Sequence, residues 1–444
     1  MRRSFFLSAT VLLFLFPGMI RAQSSYSLSD CIRIATTENA RVKQAQVSVE
    51  MTDVARKGCV QAYIPSLSLS NQYNLSTGRA LDPTTYLFVT NRTVYDMSAS
   101  IGGSVLLFSG FERPRLVEKA RLNLQSALLE TEKTKNELSL SVTALFLSIV
   151  LDKETIGVCE RRIALLQEQE ALIQKKVDYM VATRGDLLNV QADITAARVD
   201  LATAKSRLSL DKVSLCELLG IPDWESFEVS LDDQDLDAPM PRLWSEEELG
   251  AMASRLPQIR QSELAVEIAR RDVGIASSAF YPTLRLNAGY GSTYSNARTQ
   301  IDGEAYSFRD QLRDNMSSYV TLSLSIPLLG AVSVSNSVKQ KKLACSQAEF
   351  AHVQARLALE KDIKQAIIHA QTAYEKYTLL EIDVRKSEEA LRQTEEKYAA
   401  GAATYYDYQI AVGNLFQACA QRLQAKYEYI FRTKMIDFYA GRSL

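Results

Sequence analysis

The stretch at residues 62–73, AYIPSLSLSNQY, alternates in character. After Pro65, Leu67, Leu69 and Tyr73 fall on one face, and Ser66, Ser68, Ser70 and Gln72 on the other. A period of two is that of a β-strand with one apolar and one polar face. The pattern returns at 279–290 as AFYPTLRLNAGY, with Pro282, both leucines and Tyr290 recurring at one constant offset. A second alternation sets Met97, Ala99, Ile101, Val105 and Leu107 against Ser98, Ser100 and Ser104. A fourth sets Val320, Leu322, Leu324, Ile326 and Leu328 against Tyr319, Thr321, Ser323 and Ser325. The pattern predicts four strands per chain, at about 65–75, 96–108, 282–291 and 319–329. Pro65 and Pro282 mark strand entry, and the polar stretches at 76–95 and 292–317 predict loops.

Between the strands the period changes. Residues 28–62 read as helix, with Ser27 or Ser29 placed to cap it. No proline occurs between Pro114 and Pro222, and a helix over 115–181 would be ~100 Å long at 1.5 Å per residue. From Leu187 a heptad runs through Ile194, Leu201, Leu208 and Leu215, with Val190, Ala197 and Ala204 in the other seam position, a pattern for close helix pairing. Residues 222–245, with Asp232, Asp233, Asp235 and Asp237 beside Pro239 and Pro241, read as a connector. A helix over 246–279 follows, and no proline occurs after Pro327.

Past the strands the offset between the halves grows slightly and then holds: Val105 matches Ile326, Asp186 matches Asp407, and Gly220 matches Gly441. The added residues lie between the third and fourth strands, in the longer second loop. A repeat of this length, with its one length change in a loop, points to two internal repeats at 23–221 and 246–444.

Composition narrows the class. Arg2 and Arg3 precede an apolar run, Phe5 to Phe16, too short to span a membrane, and a cut after Ala22 makes residues 1–22 a signal peptide. No later stretch is apolar enough for a spanning helix, so entry into a membrane must use strands. The net charge of −1, about −4 without the leader, argues against nucleic acid as a partner. Six scattered cysteines read as core thiols, with no metal or redox spacing. The two histidines, His352 and His369, read as packing or surface residues. With no phosphate loop and no nucleophile elbow, nothing points to an enzyme, a cofactor or a metal.

In hydrocarbon a sheet must close on itself, and four strands cannot close around a lumen. The chain must therefore associate, giving eight strands from two copies or twelve from three. A soluble sandwich with one solvent face would show the same alternation.

The ordered motifs carry a resemblance over essentially the whole mature chain. They are Tyr63-Ile-Pro-Ser-Leu-Ser-Leu and Phe280-Tyr-Pro-Thr-Leu-Arg-Leu, Leu106-Leu-Phe-Ser-Gly and Ile326-Pro-Leu-Leu-Gly, and the tip stretches Arg184-Gly-Asp-Leu-Leu-Asn-Val-Gln and Lys397-Tyr-Ala-Ala-Gly-Ala-Ala-Thr-Tyr-Tyr-Asp. In these the chain resembles the TolC-like outer-membrane efflux proteins. The resemblance implies an α+β membrane protein, closed as a homotrimer. A twelve-stranded transmembrane β-barrel in outer-membrane lipid would continue into a long α-helical barrel through the periplasm. It implies a passive exit duct for efflux or type I secretion, opened when a periplasmic adaptor and an inner-membrane pump dock. The connector and chain ends would form a band around the middle.

By the same resemblance the periplasmic gate falls at the two helical tips, on Arg184, Gly185, Asp186, Tyr398, Gly401 and Asp407. Each has a plainer reading. The aspartates suit helix N-termini, where the macrodipole favours an acid, Gly401 suits a helix end, and Tyr398 suits packing. The chain departs from the family's best-known pattern at Met180, Ala403 and Ile410, so a double acid ring with an arginine latch is not carried over. The competing classes are a periplasmic coiled-coil adaptor, which has one helical hairpin and a lipoyl-like module, and a secreted enzyme.

Overall fold

The computed structural model describes residues 25–81, 86–230, 246–298, 300, 304–328 and 331–442. The expected leader at 1–22 and most of the connector lie outside them. In chain order the elements are β1 (Ser25–Tyr26), α1 (Leu28–Glu38), α2 (Ala40–Gln61), β2 (Ser66–Leu81), β3 (Phe88–Ser109), α3 (Glu112–Asp178), α4 (Arg184–Leu219) and β4 (Glu228–Val229). They continue as α5 (Glu246–Arg255), α6 (Pro257–Ser278), β5 (Thr283–Ser295), α7 (Phe308–Asp314), β6 (Ser317–Ser325), α8 (Ala331–Ala399) and α9 (Tyr405–Tyr439).

The four long strands form one antiparallel sheet in the order β2-β3-β5-β6. Register puts Leu69 opposite Ile101, Ile101 opposite Tyr290, and Leu286 opposite Leu322, so the apolar positions of all four strands share a face. In the single chain that face is bare: Leu69 is 79% exposed and Val320 76%. Among the described residues, the outer sides of β2 and β6 have no strand partner.

The expected loop at 76–95 is mostly strand. β2 runs on to Leu81 and β3 starts at Phe88, paired through Leu75–Tyr95 and Gly78–Arg92 with a bulge after Gly78. The sequence hid this because Ser76, Thr77, Gly78 and Arg79 lose the apolar alternation while the backbone ladder continues. The second expected loop holds a short helix, α7. Its buried Gln311 accepts from the Ser295 amide (2.9 Å) and donates to the Ser295 carbonyl (2.9 Å), clipping the helix onto the end of β5. The fourth strand spans 317–325 rather than 319–329.

Two helices expected to be continuous are each broken in two. Asn39 separates α1 from α2: its side chain accepts from the Arg41 amide (2.8 Å), a favoured N-cap arrangement. The same side chain donates to the Leu218 carbonyl near the end of α4 (2.8 Å), setting α2 and α4 end to end. Pro257, at the first position of α6, ends the other at Leu256.

Helices α3 and α8, of 67 and 69 residues, run unbroken past these joints. Toward the sheet α3 packs between α2 and α6; toward the far end it packs between α4 and α9, and α8 lies beside α6 and then α9. At mid-length the core is densest. Leu28, Cys31 and Ala35 of α1 pack on Val142 and Phe146 of α3, joined by Leu215 and Leu219 of α4 and by Phe227. Strands β1 and β4 pair in parallel above this core, with Tyr26 stacked on Phe227 at 5.1 Å. A smaller cluster joins Met252 and Ile259 to Ile363 of α8 and Ile436 of α9.

Sheet meets helix at a tight corner. Gly110 turns β3 into α3 with φ +63°, and a Cβ there would lie 2.7 Å from that of Tyr281. Only glycine combines that backbone with that approach. Arg115 then donates to the Gly274 carbonyl (2.6 Å) and to Ser278 Oγ (2.9 Å), pinning the start of α3 to the end of α6.

Candidate functional site

At the end far from the sheet, α3 turns into α4 and α8 turns into α9. Both turns close by the same hydrogen bonds. The Val181 amide donates to the Lys176 carbonyl (2.8 Å), and the Ala402 amide to the Lys397 carbonyl (2.8 Å). Each needs a left-handed residue after the helix. Gly401 supplies it in the second turn at φ +73°; Met180 supplies it in the first at φ +60°, with its side chain 93% exposed.

The restarting helices are capped identically. Thr183 Oγ1 accepts from the Asp186 amide (3.1 Å), and Asp186 Oδ2 accepts from the Thr183 amide (3.0 Å). Thr404 and Asp407 repeat the box at 3.2 and 2.9 Å. Such boxes satisfy amides that the helix leaves free. The Thr404 side chain and backbone bonds hold the Asp407 carboxyl below the usual carboxylate range. Both bonds fall on one oxygen, so Asp407 caps with Oδ2. Arg184 and Gly185 lie exposed on the first turn of α4.

Tyr398 is half-buried at the end of α8. Its ring lies 5.6 Å from Tyr408 and 6.4 Å from Tyr405, with the Lys176 ammonium 4.3 Å from its centroid. Burial, and then the charge of Asp186, raise its hydroxyl pKa. Thus the charge of Asp186 on the first hairpin is felt at Tyr398 on the second.

The polar link between the hairpins nearest the tips was not singled out from the sequence. Asp193 of α4 accepts from Gln409 Nε2 (2.6 Å) and from the Tyr405 hydroxyl (3.2 Å), both on α9. Burial, then Asp193, push the Tyr405 hydroxyl up, and burial takes that of Tyr408 up to about 12. Around them Leu166 and Ile173 of α3, Val190 and Ile194 of α4, and Val412 of α9 make an apolar seam. The available signal was the aromatic pair Tyr405 and Tyr408, one helical turn apart, whose counterparts in the first repeat are Arg184 and Leu187.

Pro65 and Pro282 each stand immediately before a strand, after turns closed by Ile64 to Gln61 (2.9 Å) and Tyr281 to Ser278 (3.0 Å). Lacking an N–H, proline stops the helix at both places. Among the described residues no helix is long and apolar enough to cross a membrane, and no group of metal ligands converges. Two helical hairpins and one four-stranded sheet do not match the single hairpin and lipoyl-like module of the adaptor reading.

Comparison with known proteins agrees with this architecture. A family model described as outer membrane efflux protein matches residues 31–221 and 249–441. The chain is 22% identical over 392 residues to the outer membrane protein TolC of Vibrio cholerae, covering 83% of this chain and 80% of that one. It is 23% identical over 341 residues to the alkaline protease secretion protein AprF of Pseudomonas aeruginosa, covering 72% and 65%. Among solved structures it superimposes on CusC with a TM-score of 0.80 at 16% identity (94% and 92% covered). On VceC of Vibrio cholerae the TM-score is 0.78 at 16% identity (94% and 96% covered).

Proposed function

The chain belongs to the outer membrane efflux protein family, and from that footing we propose a passive exit duct of a tripartite efflux or type I secretion system. It is an outer-membrane protein of a Gram-negative bacterium, and its family is one of channels, not of enzymes. The observation that carries the finer reading is the unfinished sheet. One face is apolar and bare, and among the described residues β2 and β6 each keep a row of backbone groups unpaired by any strand. In lipid such edges must be paired. Joining β6 of one copy to β2 of the next closes the sheet, and three copies give twelve strands.

The helical wall supports the same closure. Its two flanks near the sheet, α2 and α8, carry exposed apolar stripes. Val47, Met51 and Val54 lie on one; Leu343, Phe350 and Leu357, at heptad spacing, lie on the other. Such spacing on an open flank is what a neighbouring helix packs into. The two internal repeats supply two hairpins per copy, and the wall extends into the periplasm.

At the tips, the Asp193 bonds and the Lys176–Tyr398 contact hold the second hairpin against the first. In the duct they keep the periplasmic end narrow until an adaptor and an inner-membrane pump dock and pull α9 away. Asp186 and Asp407 then serve twice, as helix caps and as acids near the pore that favour cations.

Two measurements test this. Purified protein should migrate as a heat-modifiable trimer and conduct in planar bilayers; a freely soluble monomer without conductance overturns the duct. Asp407→Ala should lower the cation preference of single channels, and unchanged selectivity removes Asp407 from the pore.

A further inference from the structure

A groove of about 770 Å³ runs between α3, α4 and α9, away from the tips. Asp152 lines it, only 8% exposed, and its Oδ2 is buried without a hydrogen-bond partner. An ionised carboxylate held out of water without a partner is costly, and a bound positive charge relieves that cost. The walls are mixed: Leu151, Val158 and Phe416 offer apolar surface, and Thr155, Thr203 and Gln417 offer hydroxyl and amide groups. Clefts of roughly 300–1,000 Å³ are of the size that takes drug-sized ligands.

The charges around Asp152 come from two helices. On α4, Asp211 faces it, held by the Ser148 hydroxyl, and Arg207 partly offsets the pair. Further along, Asp200 is taken up by Arg162 of α3 at 3.0 Å. Helix α9 brings Asn414, Gln417 and Gln424 to the lining and no charge. Burial, then Asp211, raise the Asp152 carboxyl to about 6, with Arg207 pulling the other way.

We propose that this groove is a transit site for organic cations, whose positive group seats against Asp152 and whose apolar body lies along Phe416. The transit role rests on the duct reading. Ile410 and Asn414 line both this groove and the furrow beside Asp407, so the groove opens on the face of α9 that the duct turns inward.

Ethidium, a permanently charged aromatic cation, tests the site by fluorescence anisotropy on the purified full-length protein in detergent. Saturable binding is expected at about pH 7.5, weakening as pH falls through about 6, because the protonated acid offers no charge. Asp152→Asn should weaken it about tenfold or more. Gly413→Phe is the second variant. Gly413 lines the groove, and a Cβ added there meets nothing within 4 Å, so the new side chain starts into open space on the groove's wall. Binding should then be lost. If Asp152→Asn does not fold, Gly413→Phe and the pH titration decide alone. No saturable binding, or equal binding by wild type and Gly413→Phe, overturns the proposal. Conductance measured alongside separates the two readings. A conducting protein that does not bind ethidium sinks the groove alone, whereas binding without conductance removes the transit role together with the duct.

Discussion

Helix α4 opens on Thr183, Arg184 and Leu187, and its counterpart in the second repeat, α9, opens on Thr404, Tyr405 and Tyr408. The caps are the same and the turns before them close by the same bonds. What differs is the side chain one and four positions past the cap. Arg184 is exposed, whereas Tyr405 and Tyr408 are buried in the seam with α3 and α4. Identical local chemistry fixes where each helix starts; the aromatic pair gives the first turn of α9 a buried contact across to α3 and α4 that the first turn of α4 does not make in return. Shared backbone rules build the tip, and a few side chains make one arm of it the held arm.

The comparison breaks most visibly at Tyr408. Tyr408→Ala empties a fully buried site and should cost roughly 3–5 kcal/mol locally, whereas Leu187→Ala, at a half-exposed site, should cost well under that. Hydrogen exchange would show the first turns of α9 opening faster in one variant and α4 almost unmoved in the other. Equal effects would mean the two arms are held alike. Next, Asp193→Ala removes the acceptor of two bonds. It should loosen α9 by about 1.5–3 kcal/mol, the range for hydrogen bonds to a charged group. The same variant should leave the Thr183 and Thr404 caps protected, which exchange at their amides would check. The smallest effect concerns the turns themselves. Met180→Gly should stabilise its turn by about 1 kcal/mol and Gly401→Met destabilise the other by as much. Thermal melts of the paired variants should move in opposite directions, and a shift of the same sign would remove left-handed strain as the cause.

Much of the sheet was legible because its strands keep a strict apolar alternation along one face. Leu67 to Tyr73 and Val320 to Leu324 announced themselves, while the extension of β2 beyond Ser76 did not, because past the apolar belt nothing forces the alternation. The helix breaks at Asn39 and Leu256 were within reach: an asparagine cap and a proline at the first helical position are local signals. The place of Asp186 and Asp407 at the starts of α4 and α9 was legible as helix N-terminal acids, and their capping geometry follows from Thr183 and Thr404, each one helical turn before its acid. Asp193 was not, since its partners belong to the other repeat and only packing brings them close. Asp152 left a fainter mark, a single acid ending the mainly apolar run 142–151, whose significance depends on which helix covers it.

The unbroken course of α3 and α8 has a mechanical consequence. Where α4 abuts α2 and α9 abuts α6, the wall has seams, and each seam is splinted by a continuous rod. Below the seam a rod extends about 50 Å, so a bend of about 10° there swings its tip by roughly 9 Å. No helical hydrogen bond need break for that excursion. Such a bend would make each rod a lever, so that a small displacement of α1, β1 and β4 is multiplied at the far end.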